Sequence, residues 1–349
     1  MRWIMSFAFL VVAQQAVYVF GQPNPDSYYL EALEQYNKGQ FAKTIELCTK
    51  AVAIDPKFVK GYQLRGDARR SAQDDDGAIQ DYTRAIELTP TDANLFVKRG
   101  KAFISKRTPA PAVADFSSAI DLTWHTKPVP NVPPMIMRAM APPQFSGMFA
   151  LRSSAYTMQL KFQEAARDLD EAVSYGPKVA DHYFSRAWSR LYLGNGRGAA
   201  VDAKMYLNLN GPKGEYAAYA VFAQYLGNAK SGSAGHASNQ IVAWDQLKEP
   251  YALATNEWSR NVLKFLAKKI TADELIRLAG TDPDKLTEAH TYIGEVDLIS
   301  SKQKEAVEHF NWVRSNGNKE FIEYYLAIAE LLRIESSETR TTRQLSVIL

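Results

Sequence analysis

The residue types best suited to chemistry crowd into "RGDARRSAQDDDGAIQDY", residues 65 to 82. The stretch holds an Arg-Gly-Asp tripeptide of the sort adhesion receptors read, a basic pair, and three adjacent aspartates able to gather round a cation. Calcium loops, however, alternate their ligands along the chain, whereas Asp74, Asp75 and Asp76 are consecutive. No bound cation is expected there, and the tripeptide falls inside a helix. The five histidines (125, 182, 236, 290 and 309) show no His-x-x-x-His or His-Glu-x-x-His spacing, and Gly-x-Ser-x-Gly does not occur. "GNGRG" at 194 to 198 has the glycines of a phosphate-cradling loop but follows a helix, where such loops follow a strand. By motif the chain therefore offers no catalytic residue, no metal ligand set and no cofactor site. An enzyme would need a constellation assembled in space, for which His182, His290 and Glu295 are the candidates.

The elements that carry these residues repeat. Shifted by 34 positions, "GYQLRGDARRSAQDDDGAIQDYTRAIELTP" (61 to 90) falls without a gap on "LFVKRGKAFISKRTPAPAVADFSSAIDLTW" (95 to 124). Further copies are "MFALRSSAYTMQLKFQEAARDLDEAVSYGP" (148 to 177), one starting near Ala180, one ending at Pro56, and "EAHTYIGEVDLISSKQKEAVEHFNWVRSNG" from Glu288. Each reads as two helices, apolar at helical spacing on either side of a polar break. Small residues recur twelve apart (Gly66 with Ala78, Gly100 with Ala112, Ser153 with Ala165, Ala187 with Ala199), so that the paired helices can approach closely. "DDDG" is then the turn between two helices, and "GNGRG" is another.

A second periodicity lies inside the first. Arg65, Arg99, Arg152 and Arg186 share one slot, and Asp81, Asp115, Asp168 and Asp202 share another, sixteen residues on. The first copy has Glu31 and Leu47 there and loses both partners together. The pattern predicts a ladder of Arg–carboxylate pairs, within or between neighbouring copies, whose two-pronged geometry would fix how the helices cross.

An aromatic, Gly, Ala, an aromatic, Ala and Pro at the offsets of Tyr62, Gly66, Ala78, Tyr82, Ala85 and Pro90 resemble the tetratricopeptide repeat. The closing Pro is absent at Trp124 and Gly211. The resemblance implies an all-α solenoid of about six helix-pair repeats, whose first helices line a concave face. It places Lys60, Gln63, Asp67 and Arg70, then Asn94, Val97, Lys101 and Ile104, in the groove, with Lys98 beside them. Such a face would take a protein or an extended peptide. The Lys and Asn set that clamps chaperone tails in some relatives is not reproduced.

The rest of the chain divides by composition. Residues 1–21, with Arg2, an apolar stretch from Trp3 to Ala13 and Gly21 before a polar segment, read as a signal peptide. Uncleaved retention, giving loose membrane association through the N-terminus, is the alternative. Repeats 1 to 3 occupy 25–124, a Pro/Met-rich insertion with Met135, Met137 and Met140 occupies 125–145, and repeats 4 and 5 occupy 146–213. A helical connector follows over 214–286, with a flexible linker at 230–240 and a capping box at Thr271 and Glu274. A last repeat and a capping helix take 287–336, leaving 337–349 as a tail. From Trp258 to Ile334, through "FLAKKITADELIRLA" and "EAHTYIGEVDL…FIEYYLAIAEL", the chain is similar to bacterial NlpI-type tetratricopeptide proteins of the cell envelope. That likeness implies an adaptor that brings envelope proteins together. Relatives with a lipid anchor carry a cysteine that this sequence lacks.

The net charge of +3, from 41 basic against 38 acidic side chains, gives no field that would draw the chain to nucleic acid. Cys48 stands alone, so no intramolecular disulfide can form. The reading is an exported, periplasmic or secreted, non-enzymatic adaptor that binds proteins and has room for self-association. A membrane-anchored scaffold and a cell-wall-acting enzyme are the rival readings.

Overall fold

The computed structural model describes residues 24–125, 141, 144–233, 235, 237, 241 and 257–348. The expected signal peptide, Met135, Met137 and Met140 lie outside the described residues, as do His236 and most of the linker. Sixteen helices and no strand are present among the described residues. The chain divides into two bodies, Met1–Pro128 and Val129–Leu349.

The first body stacks three helix pairs: α1 (Pro25–Asn37) with α2 (Phe41–Ile54), α3 (Val59–Ser71) with α4 (Asp75–Leu88), and α5 (Ala93–Ser105) with α6 (Pro109–His125). The second opens with α7 (Phe145–Met158) and α8 (Phe162–Tyr175), then α9 (Ala180–Tyr192) and α10 (Gly196–Asn210). A connector of α11 (Ala217–Lys230), α12 (Glu257–Leu266) and α13 (Ala272–Ala279) leads to the pair α14 (Pro283–Ile299) and α15 (Gln303–Asn316), covered by α16 (Ile322–Ile348).

One turn recurs at all six pairs. Gly39, Gln73, Arg107, Leu160, Gly194 and Ser301 each take a positive φ just after the first helix. The next amide donates back five residues, as Asp74 N does to Arg69 O at 2.8 Å and Lys302 N to Asp297 O at 2.8 Å. This is the Schellman closure, which satisfies orphan helix carbonyls. Four of the six positions hold a side chain where glycine is favoured, so the repeat's geometry overrides local preference.

Pairing depends on a size match across sixteen residues. A Cβ on Gly66 would sit 2.7 Å from the Tyr82 ring, one on Gly100 2.6 Å from Phe116, and one on Gly294 2.6 Å from Phe310. Where the first helix does carry a Cβ, the residue sixteen on is smaller: Leu169 follows Ser153 and Ala203 follows Ala187, and all five of these partners are 0–2% exposed. The missing Pro at Trp124 lets α6 run on to His125, and α10 ends instead at Gly211, whose φ is 72°.

Three boundaries differ from the sequence reading. The last repeat starts earlier than residue 287, because Asp282 caps α14 by accepting the amides of Asp284 and Lys285 and Pro283 takes its first turn. The linker at 230–240 is not free at its start, since Lys230 sits in a buried ion cluster and Ala237 and Ile241 are 0% and 1% exposed. Residues 337–348, read as a tail, continue α16.

Candidate functional site

Most charged side chains of the opening stretch are engaged within the fold. Arg65 grips Asp81, Gly66 makes room for the Tyr82 ring, and Asp67 accepts from Tyr82 Oη at 2.7 Å and from Lys98 Nζ at 2.7 and 2.8 Å. Asp74 caps α4 by accepting Gly77 N at 2.9 Å, and Asp76 pairs with Lys106. Asp74 and Asp76 therefore turn to different partners, and Asp75 Oδ1 is buried without one. "GNGRG" is accounted for in the same way. Gly194 holds the left-handed turn, Asn195 accepts Gly198 N at 3.0 Å, and a Cβ on Gly196 would meet Gly227 O at 2.6 Å where α10 crosses α11.

The Arg and Asp columns meet inside each repeat. Arg65 reaches Asp81 through Nη2 at 2.7 Å and Nε at 3.0 Å, and Arg99 reaches Asp115 at 2.7 and 2.9 Å. Arg152 and Asp168 meet at 2.8 Å through both prongs, as do Arg186 and Asp202. The aspartates are 2–5% exposed. Each guanidinium also lies over the aromatic ring three residues before it: Tyr62, Phe96, Phe149 and Tyr183 at 5.4–5.8 Å. A third hand comes from the preceding repeat, where Thr49 receives Arg65 Nη1 at 3.1 Å, Thr83 receives Arg99 at 3.0 Å and Asp170 receives Arg186 at 2.9 Å. One arginine thus ties two helices of its own repeat to the helix behind. A second arginine, Arg69 or Arg190, joins Asp81 or Asp202 at 2.9 or 2.6 Å. It fits only because Gly77 and Gly198 leave space for its Cδ, within 2.8 and 2.9 Å of a notional Cβ.

The groove residues separate into spent and unspent. Lys98 is held by Asp67: the pair is electrically closed and both side chains are mostly covered, at 24% and 16% exposure. Lys60, Arg70, Asn94 and Lys101 are exposed, and Gln63, Val97 and Ile104 are half-buried. Among the described residues, Lys60 and Lys101 have no ion-pair partner. On the first helices α3 and α5 these side chains flank Asp67 and its closed pair.

The three candidate catalytic groups go to different partners. His182 faces Ser146 Oγ at 3.0 Å with both residues buried, and burial lowers the histidine's pKa. His290 Nδ1 lies 2.8 Å from His309 Nδ1 and stacks on Trp312 at 4.1 Å, its pKa pushed down to about 4 by burial and the neighbouring imidazole. Glu295 faces Lys230 at 2.7 Å. Cys48 is fully buried and its thiol is pushed up to about 12 by desolvation. Among the described residues no group of three or more His, Cys, Asp or Glu could hold a metal ion.

A cluster that motif reading missed lies under α16. Glu288 and Glu295 on α14 face Glu323 and Glu330 on α16, one heptad apart on each helix, and all four are 0–2% exposed. In the lower rung, Lys230 of α11 lies 2.7 Å from Glu295 and 2.6 Å from Glu330, and Arg333 pairs with Glu330. In the upper rung the partners are phenols: Tyr219 Oη donates to Glu288 at 3.2 Å and Tyr292 Oη to Glu323 at 2.8 Å. Glu288 Oε2 and Glu323 Oε2 have no hydrogen-bond partner. Burial, with each carboxyl beside the other, pushes Glu288 up to about 9, and burial pushes Glu323 up to about 7. The signal in the sequence was the matching seven-residue spacing of glutamates, Glu288 with Glu295 and Glu323 with Glu330, among apolar residues of two helices.

The comparisons with known proteins agree with this geometry. A family model described as TPR repeat matches residues 66–106. A comparison with curated proteins finds no match. Among solved structures, a tetratricopeptide repeat protein from Parabacteroides merdae superposes with a TM-score of 0.50 at 14% identity, covering 88% of this chain and 98% of its own. PilF of Pseudomonas aeruginosa superposes with a TM-score of 0.51 at 12% identity, covering 69% and 96%. At such identities the likeness speaks for the fold alone. Proteins built from these repeats generally act as scaffolds for protein interaction. Six left-handed turns, the Gly–aromatic size match and the matched family model lead to one reading: the chain carries the tetratricopeptide repeat and folds as an all-α solenoid of such helix pairs.

Proposed function

We propose that the chain is an exported, non-catalytic adaptor that holds an extended segment of a partner protein on the first helices of repeats 2 and 3. One observation carries this reading. Lys60, Arg70, Asn94 and Lys101 stay exposed beside half-buried Val97 and Ile104, although the neighbouring Arg65, Arg99 and Lys98 are all consumed by buried or covered carboxylates. A rigid frame with uncommitted cations at its face suits an extended peptide, which gains main-chain and side-chain contacts without ordering the receptor. The sealed Ser146–His182 pair supports a non-catalytic role, because no substrate reaches it. The signal-peptide layout of residues 1–21 and the likeness of Trp258–Ile334 to envelope adaptors support export and a place in the bacterial envelope.

The test compares the native chain with Lys60→Glu/Lys101→Glu, two substitutions that break no pair. The expected result is that a partner captured from an envelope extract and then purified binds the native chain and binds the variant at least tenfold more weakly, with unchanged circular dichroism. Equal binding by both proteins would overturn the groove. N-terminal sequencing of the mature protein tests export: Gln22 as the first residue is the expected outcome, and a retained Met1 would support anchoring instead.

A further inference from the structure

The rungs beneath α16 do not balance. Four buried carboxyls, Glu288, Glu295, Glu323 and Glu330, share two cations, Lys230 and Arg333. Fully ionised, the seam would hold two uncompensated negative charges at 0–2% exposure, at a large desolvation cost. The cations serve the lower rung, so the upper one must be made neutral in another way. Around it are Tyr219 from α11, Trp258 and Ser259 from α12, Asp284 and Tyr292 from α14, and Glu323 with Arg333 further along α16. None of these supplies a positive charge to Glu288 or Glu323.

The same helix is held by its apolar face and by polar ties, the Lys230–Glu330 pair among them. Leu326, Ala327, Ile328, Ala329 and Leu331 are buried, but residues 335–339 are exposed. At its start, Tyr192 Oη of α9 donates to Ile322 O at 3.1 Å, and Arg333 Nη2 donates to Tyr192 O at 2.8 Å. The upper rung sits between these two ties.

We propose that α16 is a proton-held latch, docked on α9, α11, α14 and α15 while the Glu288–Glu323 rung carries its protons and released when that rung ionises. The direction follows from proton linkage. A carboxyl that is harder to ionise in the folded state binds more protons there than in the opened state. Docking is therefore strongest below the ordinary carboxylate range and weakens as pH rises through the values to which burial has moved Glu323 and Glu288, about 7 and about 9. Tyr219 and Tyr292 donate to these carboxyls and so favour the ionised form, but burial outweighs them.

Hydrogen exchange of the full chain, corrected for base catalysis, tests the latch between pH 6 and pH 9. The expected result is that protection of residues 322–334 falls about tenfold per pH unit for each proton held, while α4 and α8 keep theirs. Glu288→Gln/Glu323→Gln, which removes both titrating groups at nearly the same shape, should flatten that slope. Should the double variant fail to fold, each single variant should lessen the slope. Equal protection of α16 at both pH values would overturn the proposal, and so would a slope retained by a folded double variant. Simultaneous loss in α9 and α14 would overturn it too, because the rung would then hold the whole body together rather than this helix.

Discussion

The repeats and the C-terminal cover bury acids by opposite means. In the repeats each aspartate meets its own arginine two-pronged, with an aromatic ring beneath the guanidinium and, at Arg65, Arg99 and Arg186, a third partner in the repeat behind. Under α16 four glutamates divide two cations. The first arrangement is closed in charge by its own side chains. The second depends on protons to be closed at all. A stacked array must hold its register wherever it works, whereas a cover helix is free to answer to conditions.

The largest effects should come from stranding a buried charge. Asp115→Ala leaves Arg99 without its carboxylate and should cost about 3–5 kcal/mol, read as the fall in thermal midpoint of the full chain. Lys230→Met should cost about as much by leaving Glu295 and Glu330 to face each other. The two variants should part in their pH dependence. The loss in Lys230→Met should grow as pH rises, because Glu295, already raised to about 7 by burial, becomes harder still to ionise in the fold. Denaturant unfolding at pH 6 and pH 9 measures that; a loss equal at both values would mean that the cluster does not differ from the sockets.

A middle-sized effect tests the packing that brings the sockets into line. Gly100→Ala places a methyl 2.6 Å from the Phe116 ring and should cost about 1–3 kcal/mol by overpacking. Adding Phe116→Leu reproduces the Ser153–Leu169 solution of repeat 4 and should recover part of the loss. A double-mutant cycle with no coupling would show that the size match is incidental.

Much of this was legible because it repeats. The Arg and Asp columns, the small residues twelve apart and the groove slots are periodic, and a period of 34 is visible without coordinates. The size match between Gly100 and Phe116 was present in the same alignment, but it becomes a constraint only when the two helices are seen to touch. The pairing of Lys98 was hidden for a related reason. Its partner, Asp67, lies 31 residues away in the neighbouring repeat, and the groove slots alone do not say which side chains pair across repeats. The glutamate rungs occur once. Their heptad spacing on α14 and α16 has no second copy to confirm it, and their acidity reads as solvent exposure until a second helix covers it.

The smallest effects separate the frame from the face. Lys98→Met removes a half-covered cation from Asp67, which keeps only the Tyr82 hydroxyl, and should cost about 1 kcal/mol. Lys101→Met, three residues on and exposed, should stay within about 0.5 kcal/mol of the native chain. Binding should rank them the other way, since Lys101 is free to meet a partner and Lys98 is already neutralised. Chemical denaturation and a binding titration on the same two variants give both orders. If Lys98→Met weakened binding more than Lys101→Met while leaving stability untouched, the pair with Asp67 would be part of the binding face rather than of the frame.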